Sequence, residues 1–195
     1  MGLWADAQRR QAYVDQFYGV LAGVVTVSSG VCRMKLLVQL RDPVERARSA
    51  HSYSTNLGYE TESFERALEL EASRLEGEAE RIAADPSYRS LSHQHHSYRI
   101  RGEYADQLER LERLFGRERI HVIDSDDFFA SPEPVYDSVL EFLKLPRRGY
   151  PAFGRHNARP RTHMAQEVRT ALEEHYRPYD ERLVRWLGHD PSWRL

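Results

Sequence analysis

The chain has 195 residues, 41% of them hydrophobic and 30% charged, with a formal net charge of −2, a balance that suits one α/β domain with a real core. The charge excludes any global attraction to nucleic acid or an anionic bilayer, so an anion site has to be local. The single cysteine, Cys32, excludes internal disulfides and multi-cysteine zinc sites, no run reaches the roughly 18 apolar residues of a membrane span, and MGLWADAQRRQ has no signal pattern; the sequence reads as cytoplasmic.

Residues 1–34 are the least legible, with a short helix expected over Ala12 to Phe17 and a strand over Val24 to Val27, followed by the loop Ser28-Ser29-Gly30. KLLVQL, Lys35 to Leu40, reads as a buried strand. It stops at Arg41, and a helix begins: Asp42 can cap, Pro43 suits the first helical position and Glu45 completes a capping-box-like arrangement. That helix runs to about Tyr53, before a loop at Asn56-Leu57-Gly58. From Thr61, the residues Phe64, Ala67, Leu68, Leu75, Ala79 and Ile82 predict one helix with an acidic opposite face, ended by Asp85-Pro86. A His-rich connector follows. Ile100, Tyr104, Leu108, Leu111 and Phe115 predict the next helix, with Gly116 as its stop. RIHVI, Arg119 to Ile123, is a further strand, and Pro134 to Leu143 a further helix. Residues 144–164 form a long basic loop. Two short helices close the chain, with Val168, Leu172, Tyr176, Leu183, Trp186 and Leu187 facing inward. Strands separated by helices predict βαβ units and a small parallel sheet flanked by helices, in one globular domain.

In open α/β sheets, ligands bind beyond the carboxyl ends of the strands. Arg41 stands at such an end, and the helix behind it is expected to offer free N–H groups and a positive dipole end. An arginine fork with the Ser49 hydroxyl, two turns along, suits a phosphate, and Arg46 and Arg48 add positive potential. On these physical grounds alone, a plain strand-to-helix turn with a surface arginine is an equal reading.

LLVQLRDPVERARSAHSY resembles the 3′-phosphate-binding segment of the sulfotransferases, whose donor is 3′-phosphoadenosine 5′-phosphosulfate (PAPS). In that family a strand ends in Arg-[Asp/Asn]-Pro, and a serine eight residues after the arginine joins it on the 3′-phosphate. Arg41 and Ser49 match those positions. SYRIRGEYADQLERLERLFGRERIHVID resembles the family's Tyr-x-x-x-Gly-x-Tyr helix and following strand, with Tyr98, Gly102 and Tyr104 on the matching positions. FGRHNARPRTHMAQEVRTALEEHYRPYDERLVRWLG resembles its C-terminal segment, a basic loop over the nucleotide and a closing helix. The resemblance spans residues 35–190, with the three segments in order. It implies the sulfotransferase branch of the P-loop architecture and transfer of a sulfuryl group from PAPS to a hydroxyl or amine. The implied cofactor-binding residues are Arg41, Ser49, Tyr98, Arg155 and Asn157. The partner is a small-molecule or carbohydrate acceptor, and that chemistry requires no metal.

The family's 5′-phosphosulfate loop, typically Pro-Lys-x-Gly-Thr-[Thr/Ser], has no match before Lys35. The nearest stretch, Val24-Thr26-Ser28-Ser29-Gly30, lacks a lysine and leaves no room for a helix before Lys35. Residues 1–34 are therefore read as a divergent or truncated segment and 35–195 as the sulfotransferase-like domain. The strand at Lys35 is expected to have an unpaired edge, and no general base stands out. Two alternatives stay open: a non-catalytic remnant that binds adenosine 3′,5′-bisphosphate, and a helical interaction protein using its acidic 60–84 face. His93, His95 and His96 lack metal-ligand spacing and read as a solvated loop. Asp124, Asp126 and Asp127 read as a turn in which Asp126 or Asp127 caps the Phe128 segment. Tyr104 reads as core, with Gly102 allowing close packing.

Overall fold

The computed structural model describes residues 24–27, 33–85, 87–154 and 164–194. Strand alternation sends Leu36, Val38 and Leu40 into the core while Lys35, Leu37 and Gln39 stay half-buried. β2 (Arg33–Leu40) pairs parallel with β3 (Ile120–Asp124), with Leu40 opposite Asp124, so the two strands end at one level. β1 (Val24–Val27) pairs antiparallel along the other side of β2. The sheet is thus a parallel pair with one antiparallel strand added, and the β2 edge expected to be bare is covered. The reason is the connection: five residues separate Val27 from Arg33, enough for a hairpin and far too few for a crossover.

Eight α-helices are described: α1 (Pro43–Asn56), α2 (Phe64–Leu75), α3 (Glu78–Ala84), α4 (Leu91–His95), α5 (Tyr104–Phe115), α6 (Ser125–Ala130), α7 (Pro132–Leu143) and α8 (Gln166–Leu187). Three differ from the sequence expectation. The stripe expected as one helix from Thr61 is broken into α2 and α3 at Gly77, whose φ of 72° is a conformation glycine adopts without a Cβ clash. The His-rich connector holds α4, capped where the Ser90 Oγ accepts from the His93 N–H at 3.0 Å. The two closing helices are a single one, α8, which runs through Pro178. Tyr176 and Leu183, both buried, hold it on either side of a break that costs about 3 kcal/mol in an isolated helix.

Two apolar clusters hold these elements. Leu36, Val38, Leu108, Leu111, Phe115 and Leu183 join the sheet to α5 and α8. Val44, Ala47, Phe64, Ala67, Leu172 and Tyr176 join α1, α2 and α8. α8 belongs to both. It lies along α5 in parallel register, with His175 at Glu103, Arg182 at Asp106 and Glu109, and Trp186 at Glu112. No described helix is long and apolar enough to cross a membrane.

Candidate functional site

Arg41 and Asp42 carry the chain from β2 into α1 at the carboxyl end of the parallel pair. The Asp42 Oδ1 accepts from the Val44 N–H at 2.8 Å and the Glu45 N–H at 3.4 Å, and the Asp42 carbonyl accepts from the Arg46 N–H at 2.9 Å. Pro43 has no N–H. The first turn of α1 therefore has no free amide, contrary to the expectation that it could hold an anion. A carboxylate tethered one residue away captures those donors first. Burial pushes the Asp42 carboxyl up, against the two amide bonds that pull it down. Any anion at this corner must be held by side chains.

The Arg41 side chain is half-buried and makes no hydrogen bond or ion pair among the described residues. Its main chain is held by Tyr104, whose hydroxyl donates to the Arg41 carbonyl at 3.0 Å. Tyr104 is buried, and that burial pushes its hydroxyl up to about 12, keeping it a donor. Ser49 is exposed on α1, one turn beyond Glu45. Glu45 is bonded by Arg169 of α8, which also lies 4.0 Å from Asp42. Sequence reasoning missed Arg169: nothing local links the first turn of α8 to that of α1. Arg46, expected to add surface potential, is buried instead. It donates to the Tyr98 carbonyl, and its Nε has no partner among the described residues. Arg48 lies over the Phe64 ring, 5.2 Å from its centroid.

Tyr98, expected on the nucleotide, is 1% exposed and donates its hydroxyl to Glu60 Oε2 at 2.8 Å. Glu60 also takes both arms of Arg74, at 2.6 and 3.2 Å, and the N–H groups of Thr61 and Glu62. Burial alone would raise the Glu60 carboxyl, but Arg74, the Glu62 amide and Tyr98 bring it down to about 2. Gly102 lies against the Tyr176 ring, and a Cβ there would stand 2.7 to 2.8 Å from it. The Tyr-x-x-x-Gly-x-Tyr residues thus each do something different: Tyr98 binds Glu60, Gly102 admits Tyr176 and Tyr104 holds Arg41. Arg155 and Asn157 lie outside the described residues, as do Cys32, Ser28-Ser29-Gly30 and the helix expected over Ala12 to Phe17.

Asp124, at the end of β3, accepts from the Asp126 N–H and from the Ser192 N–H and hydroxyl, each at 2.9 Å. It is therefore Asp124, not Asp126 or Asp127, that caps α6 and ties the last turn of the chain to the strand end. Beside that turn the Trp193 ring meets Tyr104 edge-on at 6.1 Å, and the Trp193 Nε1–H donates to Asp180 at 3.3 Å. A cleft of about 250 Å³ opens at the start of α1, lined by Asp42, Tyr176, Arg177, Trp193 and Arg194. Among the described residues no group of three or more His, Cys, Asp or Glu could hold a metal. His93, expected in a solvated loop, is buried, and His95 stacks on Tyr59 at 3.7 Å.

No established family model matches the chain. The chain is 29% identical over 91 residues to the membrane-associated sulfotransferase kil1 of Dictyostelium discoideum, a stretch covering 47% of this chain and 19% of that protein. It matches the crystal structure of a sulfotransferase from Alicyclobacillus acidocaldarius with a TM-score of 0.63 and 31% identity, over 83% of this chain and 57% of that one. The chain therefore spans only part of either relative. The helix-rich architecture with its small parallel pair matches the P-loop-like fold of that sulfotransferase. The chain is similar to sulfotransferases in both sequence and fold.

Proposed function

We propose that this chain works as a PAPS-dependent sulfotransferase, moving a sulfuryl group to a hydroxyl or amine of a small-molecule or carbohydrate acceptor. The supporting observation is Arg41: a guanidinium at the carboxyl end of a parallel strand, without an ion-pair partner among the described residues, on a main chain held by Tyr104. That donor chemistry fits a phosphomonoester. PAPS supplies the activated sulfuryl group. Arg41 binds the 3′-phosphate through its guanidinium, and the Ser49 hydroxyl donates to the same group. Arg155 and Asn157 close over the nucleotide from the basic loop. Tyr98 serves from beneath α1, through Arg46 and Glu60. Catalysis then rests on positioning donor and acceptor for in-line displacement and on positive charge about the departing oxygen.

The test is calorimetric titration with adenosine 3′,5′-bisphosphate. The wild type is expected to bind at micromolar concentration and Arg41→Ala at least about tenfold more weakly. A folded wild type that does not bind overturns the 3′-phosphate assignment. Turnover of labelled PAPS separates an enzyme from a remnant that only binds the bisphosphate.

A further inference from the structure

A cavity lies away from Arg41, on the outer side of α5. It measures about 460 Å³ and is lined by His93, Ser97, Arg101, Asp106, Arg110 and Arg113, with others. Four arginines and three carboxylates face it. The carboxylates are committed: Asp106 and Glu109 to Arg182, at 2.6 and 2.5 Å, and Glu103 to His175, at 3.0 Å.

Arg101 is not matched in this way. Its Nη2 donates to the His93 carbonyl at 2.5 Å, and it forms no ion pair among the described residues. The acid closest to it in effect is Glu71, whose oxygens already receive the Arg99 and Ile100 N–H groups and the Arg99 Nε. The charge of Arg46, 4% exposed, acts on Arg101; Arg46 has the Tyr98 carbonyl and the Tyr176 hydroxyl for partners, and its Nε has none among the described residues. Among the described residues neither guanidinium has a carboxylate of its own. Burial and then the charge of Arg46 hold Arg101 down to about 10, still protonated at neutral pH. A half-buried cation without a carboxylate gains from any anion that reaches it, and the cavity is the way in.

We propose that this cavity is a second anion site, in which Arg101, with Arg113 at the rim, receives a sulfate, phosphate or carboxylate group carried by a small molecule or sugar. Arg101 supplies the half-buried charge and the directional N–H groups, and Arg113, exposed at the mouth, draws the anion in. The site stands apart from Arg41 and does not depend on the nucleotide reading.

The experiment titrates sodium sulfate, and separately sodium glucuronate, into the Arg41→Ala chain at constant ionic strength, so that the first site cannot report. Saturable binding is expected. It is expected to weaken at least about tenfold when Arg101→Gln is added. Arg113→Ala, on an exposed position that leaves the fold alone, is expected to weaken it several-fold. Tighter binding of glucuronate assigns the site to a carboxylated sugar, and tighter binding of sulfate to a sulfate or phosphate group. Absence of saturable binding, or equal affinity in the Arg113→Ala chain and in a folded Arg101→Gln chain, overturns the proposal. Titration of the wild type with adenosine 3′,5′-bisphosphate tests the Arg41 site independently.

Discussion

The Tyr104 hydroxyl reaches across 63 residues of sequence to donate to the Arg41 carbonyl. The first residue of α5 thereby sets the main-chain path by which β2 becomes α1. Tyr104→Phe leaves that part-buried carbonyl without its donor, at an expected cost of about 0.5–1.5 kcal/mol. Denaturant unfolding measures that loss. Titration with adenosine 3′,5′-bisphosphate is expected to show weaker binding in the same variant. Unchanged affinity would show that the Arg41 side chain orients itself without this bond.

Gly102 is a question of space, because its backbone is not in the left-handed region. A methyl group there meets the Tyr176 ring at 2.7 to 2.8 Å. Gly102→Ala is expected to destabilise the fold by about 1–3 kcal/mol through overpacking. Adding Tyr176→Leu relieves the clash, so the double variant is expected to lose less than the sum of the two singles. Strict additivity in a double-mutant cycle would contradict direct contact.

Arg74→Met strips Glu60 of its cation while the carboxylate stays 1% exposed. Removing one partner of a buried pair is expected to cost about 3–5 kcal/mol. Glu60 also sets an acid limit. Its folded pKa is depressed from 4.5 to about 2, so its contribution is complete above 4.5 and is lost as the pH falls through about 2. Thermal unfolding across that window is expected to show a shallower fall in Glu60→Gln than in the wild type.

Asp180 has the opposite sign. Burial raises its carboxyl from 3.8 to about 6, against the Trp193 hydrogen bond that lowers it. The folded state prefers the protonated form, so stability falls as the pH rises from 3.8 through about 6. Asp180→Asn keeps an acceptor for the Trp193 Nε1–H without the charge. It is expected to raise the melting temperature at neutral pH and to have little effect below 3.8. Parallel pH profiles for the two proteins would refute the assignment.

What could be read beforehand was local. Asp42, Pro43 and Glu45 announce α1 within four residues, and the alternation of Leu36, Val38 and Leu40 places β2. Gly77 was hidden because Leu75, Ala79 and Ile82 keep helical phase across the break. The two closing helices expected are one, because packing at Tyr176 and Leu183 carries α8 through Pro178. At the candidate site, Arg41 and Ser49 follow from the resemblance. The burial of Arg46 does not, since a charged residue one turn into a helix reads as surface until Tyr98 and Tyr176 are in place. Asp42 shows the limit of the helix-dipole argument: the residue that makes the helix start recognisable is the one that consumes its donors. Arg169 depends on a helix far away in sequence, and no window of residues contains its α1 partners.

The clamp between Ser192 and Asp124 has a consequence for time as well as space. Trp193 follows Ser192 and rests on Tyr104, and Tyr104 holds Arg41. The Arg-Asp-Pro turn leaves the ribosome before the groups that shape it, which arrive with α5 and then with residues 192 and 193. During synthesis the corner is therefore unfinished until nearly all of the described chain has been made. A nucleotide that binds there can stabilise the completed fold, but it has no early template role to play.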